Sequence, residues 1–203
     1  VPTNKAFYNP EIEEYRRGFN IEKARTILDD LGYEDTDGDG IREFANGEDF
    51  EFTLTTAVDS QDRVDIASLL KDNMEEVGIK VNLNLIKGSL VFDKALAGEF
   101  ESMVMAFGNQ PDPQFRKAIW QPGRALYYWH LSTMSENDQP VMENMFDWEK
   151  EIFEMFEKGQ VTMEHSARRD YYDKWQLINA QKLPVIFITK GMDLSAVQDD
   201  VGN

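Results

Sequence analysis

"FTLTTAVDSQDRVDIASLLKDNMEEVGIKVNLNLI", residues 52–86, changes its hydrophobic period twice. The segment entering it, "DFEFTLTTAV", reads as a strand with Phe50, Phe52 and Leu54 on one face. "DSQDR" then turns the chain into a helix whose N-cap is Ser60. Ile66, Leu70, Met74 and Val77 recur at helical spacing as its buried face, and Gly78 ends it. "IKVNLNLI" alternates, with Ile79, Val81, Leu83 and Leu85 pointing one way, as in a half-buried strand. Strands that alternate with helices pair most simply in parallel. The stretch therefore predicts an α/β layer fold with a mainly parallel central sheet flanked by helices.

Upstream, Asn20 can cap a helix running to about Leu31, with Ile21, Ala24, Ile27, Leu28 and Leu31 as its apolar stripe and Gly32 as its stop. Downstream, a short helix is expected near residues 89–97. "SMVMAFG" follows as a third strand, apolar throughout and so expected at the centre of the sheet. Two long helices come next, one carrying Val141, Met145, Trp148, Ile152 and Phe156, the other Ala167, Tyr171, Trp175 and Ile178. "LPVIFITKG" is expected as a fourth strand. Residues 109–139 form the longest irregular stretch, rich in Pro, Trp and Tyr, and long loops on rigid scaffolds often carry function.

Composition narrows the function classes. The 203 residues are 41% apolar, enough to bury a core, and carry 38 acidic against 21 basic side chains, a net charge of −17. Such a surface disfavours nucleic acid and anionic membranes, which need a positive face. The absence of cysteine excludes disulfides, thiolate zinc sites and cysteine nucleophiles. No apolar run approaches the roughly 20 residues of a membrane span. "VPTNKAFYNP" has neither the basic nor the apolar region of a signal peptide, and neither end reads as a natural terminus. A single lobe, residues 1–203, excised from a longer chain is the expectation.

Four constellations could carry chemistry. "DTDGDGIREF", residues 35–44, places Asp35, Asp37 and Asp39 at alternate positions, with Gly40 at the sharp turn and the Ile41 carbonyl next. Calcium takes about six to eight oxygen ligands, and such a loop supplies them from alternate side chains. The pattern departs from an EF-hand at Asn46, where glutamate would stand, so Glu43 or Glu48 would complete the shell. The competing reading is a Gly/Asp turn whose carboxylates bond only to backbone. Three carboxylates held together without a cation would repel one another, which favours calcium in a structural role.

Catalytic signatures are missing: HExxH, GxSxG and GxxxxGK[ST] do not occur, and the two histidines, His130 and His165, are far apart. Paired carboxylates carry no information in so acidic a chain. Aromatic residues form the third group. Trp148 and Trp175 sit on helical stripes and read as core. Trp120 and Trp129, in the irregular region beside Tyr127 and Tyr128, read equally as core or as faces for a ligand. The strand-end loops are fourth, because ligands of open α/β sheets bind beyond the carboxyl ends of strands. "VDSQ" offers Asp59 and Ser60 at a helix N-terminus. "FGNQPDP", residues 107–113, offers Phe107, Gly108, Asn109 and Gln110.

Taken in order, "YNPEIEEY", "IEKARTILDDLGYEDTDGDGIRE", residues 52–86, "FGNQPDP", "DWEKEI" and "RRDYYDKWQLINAQKLPVIFI" resemble the extracellular solute-binding proteins of family 5, the dipeptide- and oligopeptide-type receptors of ABC importers. The resemblance runs along nearly the whole chain. It implies a contiguous second lobe of a longer protein, half of a type II periplasmic-binding fold. Two such lobes close on a solute at a hinge and deliver it to a membrane permease. It further implies an extracytoplasmic place, in the periplasm or on a cell-surface lipoprotein, a monomer, no enzymatic activity, and a structural role for the DxDGDG loop. The solute it implies is an oligopeptide or, as in some members, an oligosaccharide. In peptide-binding relatives an aspartate shortly before the "DP" neutralises the peptide's α-amino group, and that position falls at or near Asn109. The rival classes are a carbohydrate-active or other hydrolytic domain with structural calcium, and a calcium-dependent adhesion module.

Overall fold

The computed structural model describes residues 6–108 and 110–189. A 3-10 turn at Pro10–Tyr15 precedes α1 (Ile21–Asp30), and then come β1 (Glu51–Ala57), α2 (Gln61–Glu75), β2 (Lys80–Ile86), α3 (Gly88–Ala97) and β3 (Ser102–Val104). The irregular region holds only short helical turns, among them α4 (Lys117–Trp120), before the long helices α5 (Asp147–Val161) and α6 (His165–Lys182). No helix among the described residues is long and apolar enough to cross a membrane.

The sheet is parallel throughout, in the order β2-β1-β3, with Leu54 opposite both Leu83 and Ser102. Leu54, Val81 and Val104 close with Ala67 of α2 into one core, and Phe52, Ile66, Leu70, Met74 and Leu83 pack against it. The period-2 and period-3.6 stripes read from residues 52–86 are therefore its two sides. A second core forms where α5 and α6 meet: Phe7, Ile152, Phe156, Tyr172 and Trp175, with Trp120, Trp148, Met155 and Ile178 against it.

Several expectations are corrected. The third strand is short and lies at an edge, and β1 is central. β1 takes that place despite its threonines because their hydroxyls find partners. Buried Thr56 donates to the Val104 carbonyl at 3.0 Å, and Thr55 accepts from Asn84 Nδ2 at 3.2 Å. β-branched side chains suit a covered strand once such groups are satisfied. Of the expected fourth strand, residues 183–189 are not a strand, and Lys190 and Gly191 lie outside the described residues. Leu183 ends α6 in the left-handed conformation, and the segment runs past Trp120, whose ring is 5.7 Å from that of Phe187. Its apolar side chains stay exposed: Ile186 by 72% and Phe187 by 64%.

The helix expected from Val141 begins at Asp147, because Glu149 reaches back to the Phe146 N–H at 3.0 Å and starts it there. On α6 the buried face is Tyr172, Trp175, Gln176 and Asn179, turned by one residue from the Tyr171 stripe. Asn20 caps α1 as expected, accepting from the Lys23 N–H at 2.8 Å. That helix buries none of its residues, however, and its Ile27 is exposed.

Candidate functional site

The aspartate loop is built by its own side chains. Asp35 accepts from the N–H groups of Gly38 at 2.7 Å and Gly40 at 3.0 Å. Asp37 accepts from Asp39 N–H at 3.1 Å, and Asp39 from Ile41 N–H at 2.8 Å. Gly38 and Gly40 take φ of 86° and 93°, which a side chain would resist. The three carboxylates converge, each offering an oxygen within 4.8 Å of the others. Glu43, 7% exposed, accepts from Thr36 N–H at 2.8 Å and is not one of the three converging carboxylates. Arg42 ties the loop to its surroundings through Asp29 at 2.6 Å, the Val77 carbonyl at 2.8 Å and the Tyr33 carbonyl. The rings of Tyr33, Phe44 and Phe50 pack on one another, with centroids 4.6–5.9 Å apart.

This donor set fits a hard cation that takes oxygen ligands. The backbone bonds fit the reading of the stretch as a Gly/Asp turn, and each carboxylate has lone pairs beyond those bonds. Two depressions flank the loop, of about 380 and 270 Å³, one lined by Asp35, Gly40 and Arg42, the other by Asp39, Ile41 and Lys80.

At the carboxyl ends of the strands the predicted residues divide. Both oxygens of Asp59 face the Gly88 N–H, at 3.2 and 3.4 Å, so this carboxylate pins the start of α3 to the end of β1. Ser60 occupies the N-cap of α2 with no capping bond from its hydroxyl. Phe107 meets Trp120 edge-on at 5.8 Å and lies nearly parallel to Tyr128 at 6.5 Å. Gln110 is exposed, and Asn109 lies outside the described residues. Gly108 is approached so closely by Arg116 that a Cβ there would stand 2.4 Å from Nη2. Trp120 bridges two settings, with Trp129 at 5.6 Å on one side and Trp175 of the core at 5.7 Å on the other. Trp129 packs on Tyr127 at 4.5 Å.

Three arrangements here had no sequence signal, because partners far apart in the chain make them. Asp112 is engaged by Arg168 of α6: Nη2 donates to Oδ1 at 2.9 Å and Nη1 to Oδ2, while Oδ1 also caps Gln114 N–H at 2.9 Å. The bond to Asp112 raises the Arg168 pKa. Arg168 donates in addition to the Gly159 carbonyl at 2.8 Å.

The second arrangement surrounds Glu149, 1% exposed, which accepts from Tyr127 Oη at 2.9 Å and lies 2.8 Å from His130 Nδ1. Burial, with the charge of Glu149 added, pushes the Tyr127 hydroxyl far above its ordinary range. These bonds fasten the aromatic loop to α5 and give His130 a structural place. In the third, Glu157 gathers Lys117 at 2.7 Å, Gln121 at 2.9 Å and Arg124 at 3.3 Å. Its carboxyl is held below the usual range, chiefly by Lys117.

Comparison with known proteins agrees with this architecture. The chain is 25% identical over 160 residues to the oligopeptide-binding protein AppA of Bacillus subtilis, covering 74% of this chain and 29% of the relative. It is 23% identical over 181 residues to the periplasmic alpha-galactoside-binding protein of Rhizobium meliloti, covering 84% and 25%. Among solved structures it superposes on an oligopeptide-binding protein OppA with a TM-score of 0.78 at 18% identity, covering 91% of this chain and 31% of that one. For the periplasmic binding protein MelB of Agrobacterium fabrum in complex with stachyose the TM-score is 0.74 at 21% identity, with 90% and 27% covered. The fold is thus that of periplasmic binding proteins, and the chain spans about a quarter to a third of these relatives' length. These relatives are solute-binding receptors and not enzymes, in line with the absence of catalytic motifs. The family model described as "Bacterial extracellular solute-binding proteins, family 5 Middle" matches residues 1–125, more than half of the sequence, and the chain belongs to that family.

Proposed function

We propose that this chain is a solute-receiving lobe of an extracytoplasmic ABC-importer receptor, taking an oligopeptide or an oligosaccharide. The observation that carries the reading is the meeting of Phe107, Trp120 and Tyr128 beside the carboxyl end of β3. Aromatic faces there suit sugar rings and apolar side chains alike. The two named depressions lie at the aspartate loop instead. Such a face fits a receptor in which a second lobe supplies the opposite wall and closes at a hinge. The longer receptor would act as a monomer outside the cytoplasm, in the periplasm or on a cell-surface lipoprotein, and would hand the solute to a permease. Titrating the isotope-labelled chain with short peptides and with oligosaccharides, followed by NMR, tests this. Shifts should cluster at Phe107, Gly108, Gln110 and Trp120. Shifts confined to the aspartate loop would count against it.

We propose further that Asp35, Asp37, Asp39, the Ile41 carbonyl and Glu43 hold a calcium ion. The converging exposed carboxylates of Asp35, Asp37 and Asp39 support this, and Glu43 follows in the same stretch of chain. The ion would join α1 to β1 and would take no part in solute chemistry.

A further inference from the structure

Basic side chains around the aromatic loop are paired, with one exception. Lys117 and Arg124 face Glu157, and Arg168 faces Asp112. Among the described residues Arg116 forms no ion pair and its Nε is buried without an acceptor. An N–H drawn out of water and left unmet, as on this half-buried side chain, is costly, and such groups in folded proteins call for a missing partner. Its other end lies against Gly108, within the strand-end loop where the solute is placed. No side chain would leave it room there.

We propose that Arg116 is a solute-binding residue and that it takes a carboxylate of the bound solute. The inference rests on the receptor reading above. Guanidinium and carboxylate match in charge and in the geometry of two parallel N–H···O bonds. A phosphate dianion would need a second cation, and the neighbouring ones are already neutralised by Glu157 and Asp112. An ammonium group is disfavoured for the same reason, since both oxygens of Asp112 are held by Arg168 and Gln110 carries no charge. The strand-end loop therefore presents a cation and aromatic faces. An acidic sugar, or a peptide's C-terminal carboxylate, would meet both.

Paired probes that differ only in charge separate these sources. The 203-residue chain is titrated, with NMR detection of millimolar affinities, with trigalacturonate and its methyl ester, and with an acetylated tripeptide acid and its amide. In at least one pair the acid should bind about tenfold or more tightly than its neutral twin, as expected for a charge-assisted bond. The pair showing the preference names the source. Arg116→Gln should bring the ratio to about one with little change in melting temperature. Gly108→Ala, which displaces only the end of the Arg116 side chain, should do the same if the first variant folds poorly. Equal binding of the twins, or a preference that survives in both variants, overturns the inference and leaves the receptor reading standing. Failure of every probe to bind overturns both.

Discussion

Replacing Asp112 by asparagine separates a structural carboxylate from a ligand-binding one. The substitution keeps shape and an oxygen for the Gln114 N–H, but removes the charge facing Arg168. The two side chains are 22% and 19% exposed, between the surface and the interior. Surface pairs are worth about 0–1 kcal/mol, and breaking a buried pair costs about 3–5 kcal/mol. Arg168 keeps the Gly159 carbonyl and the Tyr172 hydroxyl as partners, which softens the loss. About 2 kcal/mol is therefore expected, a fall in melting temperature of about 4–8 °C for a chain of this size. Thermal and urea melts of Asp112→Asn, Arg168→Met and the double variant measure it, and the coupling between the two should account for most of the loss. Stability within about 0.5 kcal/mol of the parent, together with abolished solute binding, would show that the carboxylate faces solute and that its bond to Arg168 is incidental.

Chelation should lower the melting temperature by about 5–10 °C if calcium stands near a hundredfold above its dissociation constant, an effect of about 2.7 kcal/mol; a melt indifferent to calcium between chelator and millimolar ion would make the loop a simple turn. Glu164 caps α6, and its bonds from the Ser166 hydroxyl, Ala167 N–H and Ser166 N–H hold its pKa at about 2. Its folded value lies below the ordinary 4.5, so the stabilisation is complete above pH 4.5 and is lost as pH falls toward 2. Glu164→Gln should accordingly flatten that part of the acid-unfolding profile, and an unchanged profile would show the cap to be unimportant. Phe156→Ala, at a site with no exposure, should cost about 3–5 kcal/mol in a urea melt, whereas a loss under 1 kcal/mol would mean that the α5–α6 core is loosely packed.

The fold was legible wherever local periodicity and burial agree. Residues 52–86 show this best: Ile66, Leu70 and Met74 on α2 meet Leu54 and Val81 on the strands, as their spacing required. The order of strands was less legible. Hydropathy places "SMVMAFG" in the middle, yet β1 takes the centre because Thr55 and Thr56 satisfy their hydroxyls across both neighbours. Nothing in one strand reports the partners of another. The same gap explains "LPVIFITKG". Apolarity marks a segment able to enter a sheet, but Leu183 turns this one aside toward Trp120.

At the candidate site the chemistry of residue types was visible and their allocation was not. Acidic side chains are so common here that no spacing separates a ligand from a brace. Geometry does separate them. Asp59 braces α3, Asp112 braces Arg168, Glu149 braces Tyr127 and His130, and Glu157 braces three groups at once. These four acids are thereby spent on internal donors, whereas Asp35, Asp37 and Asp39 keep exposed oxygens turned toward one another. An acidic chain can thus tie up these carboxylates near the strand ends while it concentrates negative charge at a loop near the amino end of β1. A cation and an uncharged or anionic solute would then occupy separate places on one small α/β framework, neither competing for the carboxylates that hold the other's surroundings together.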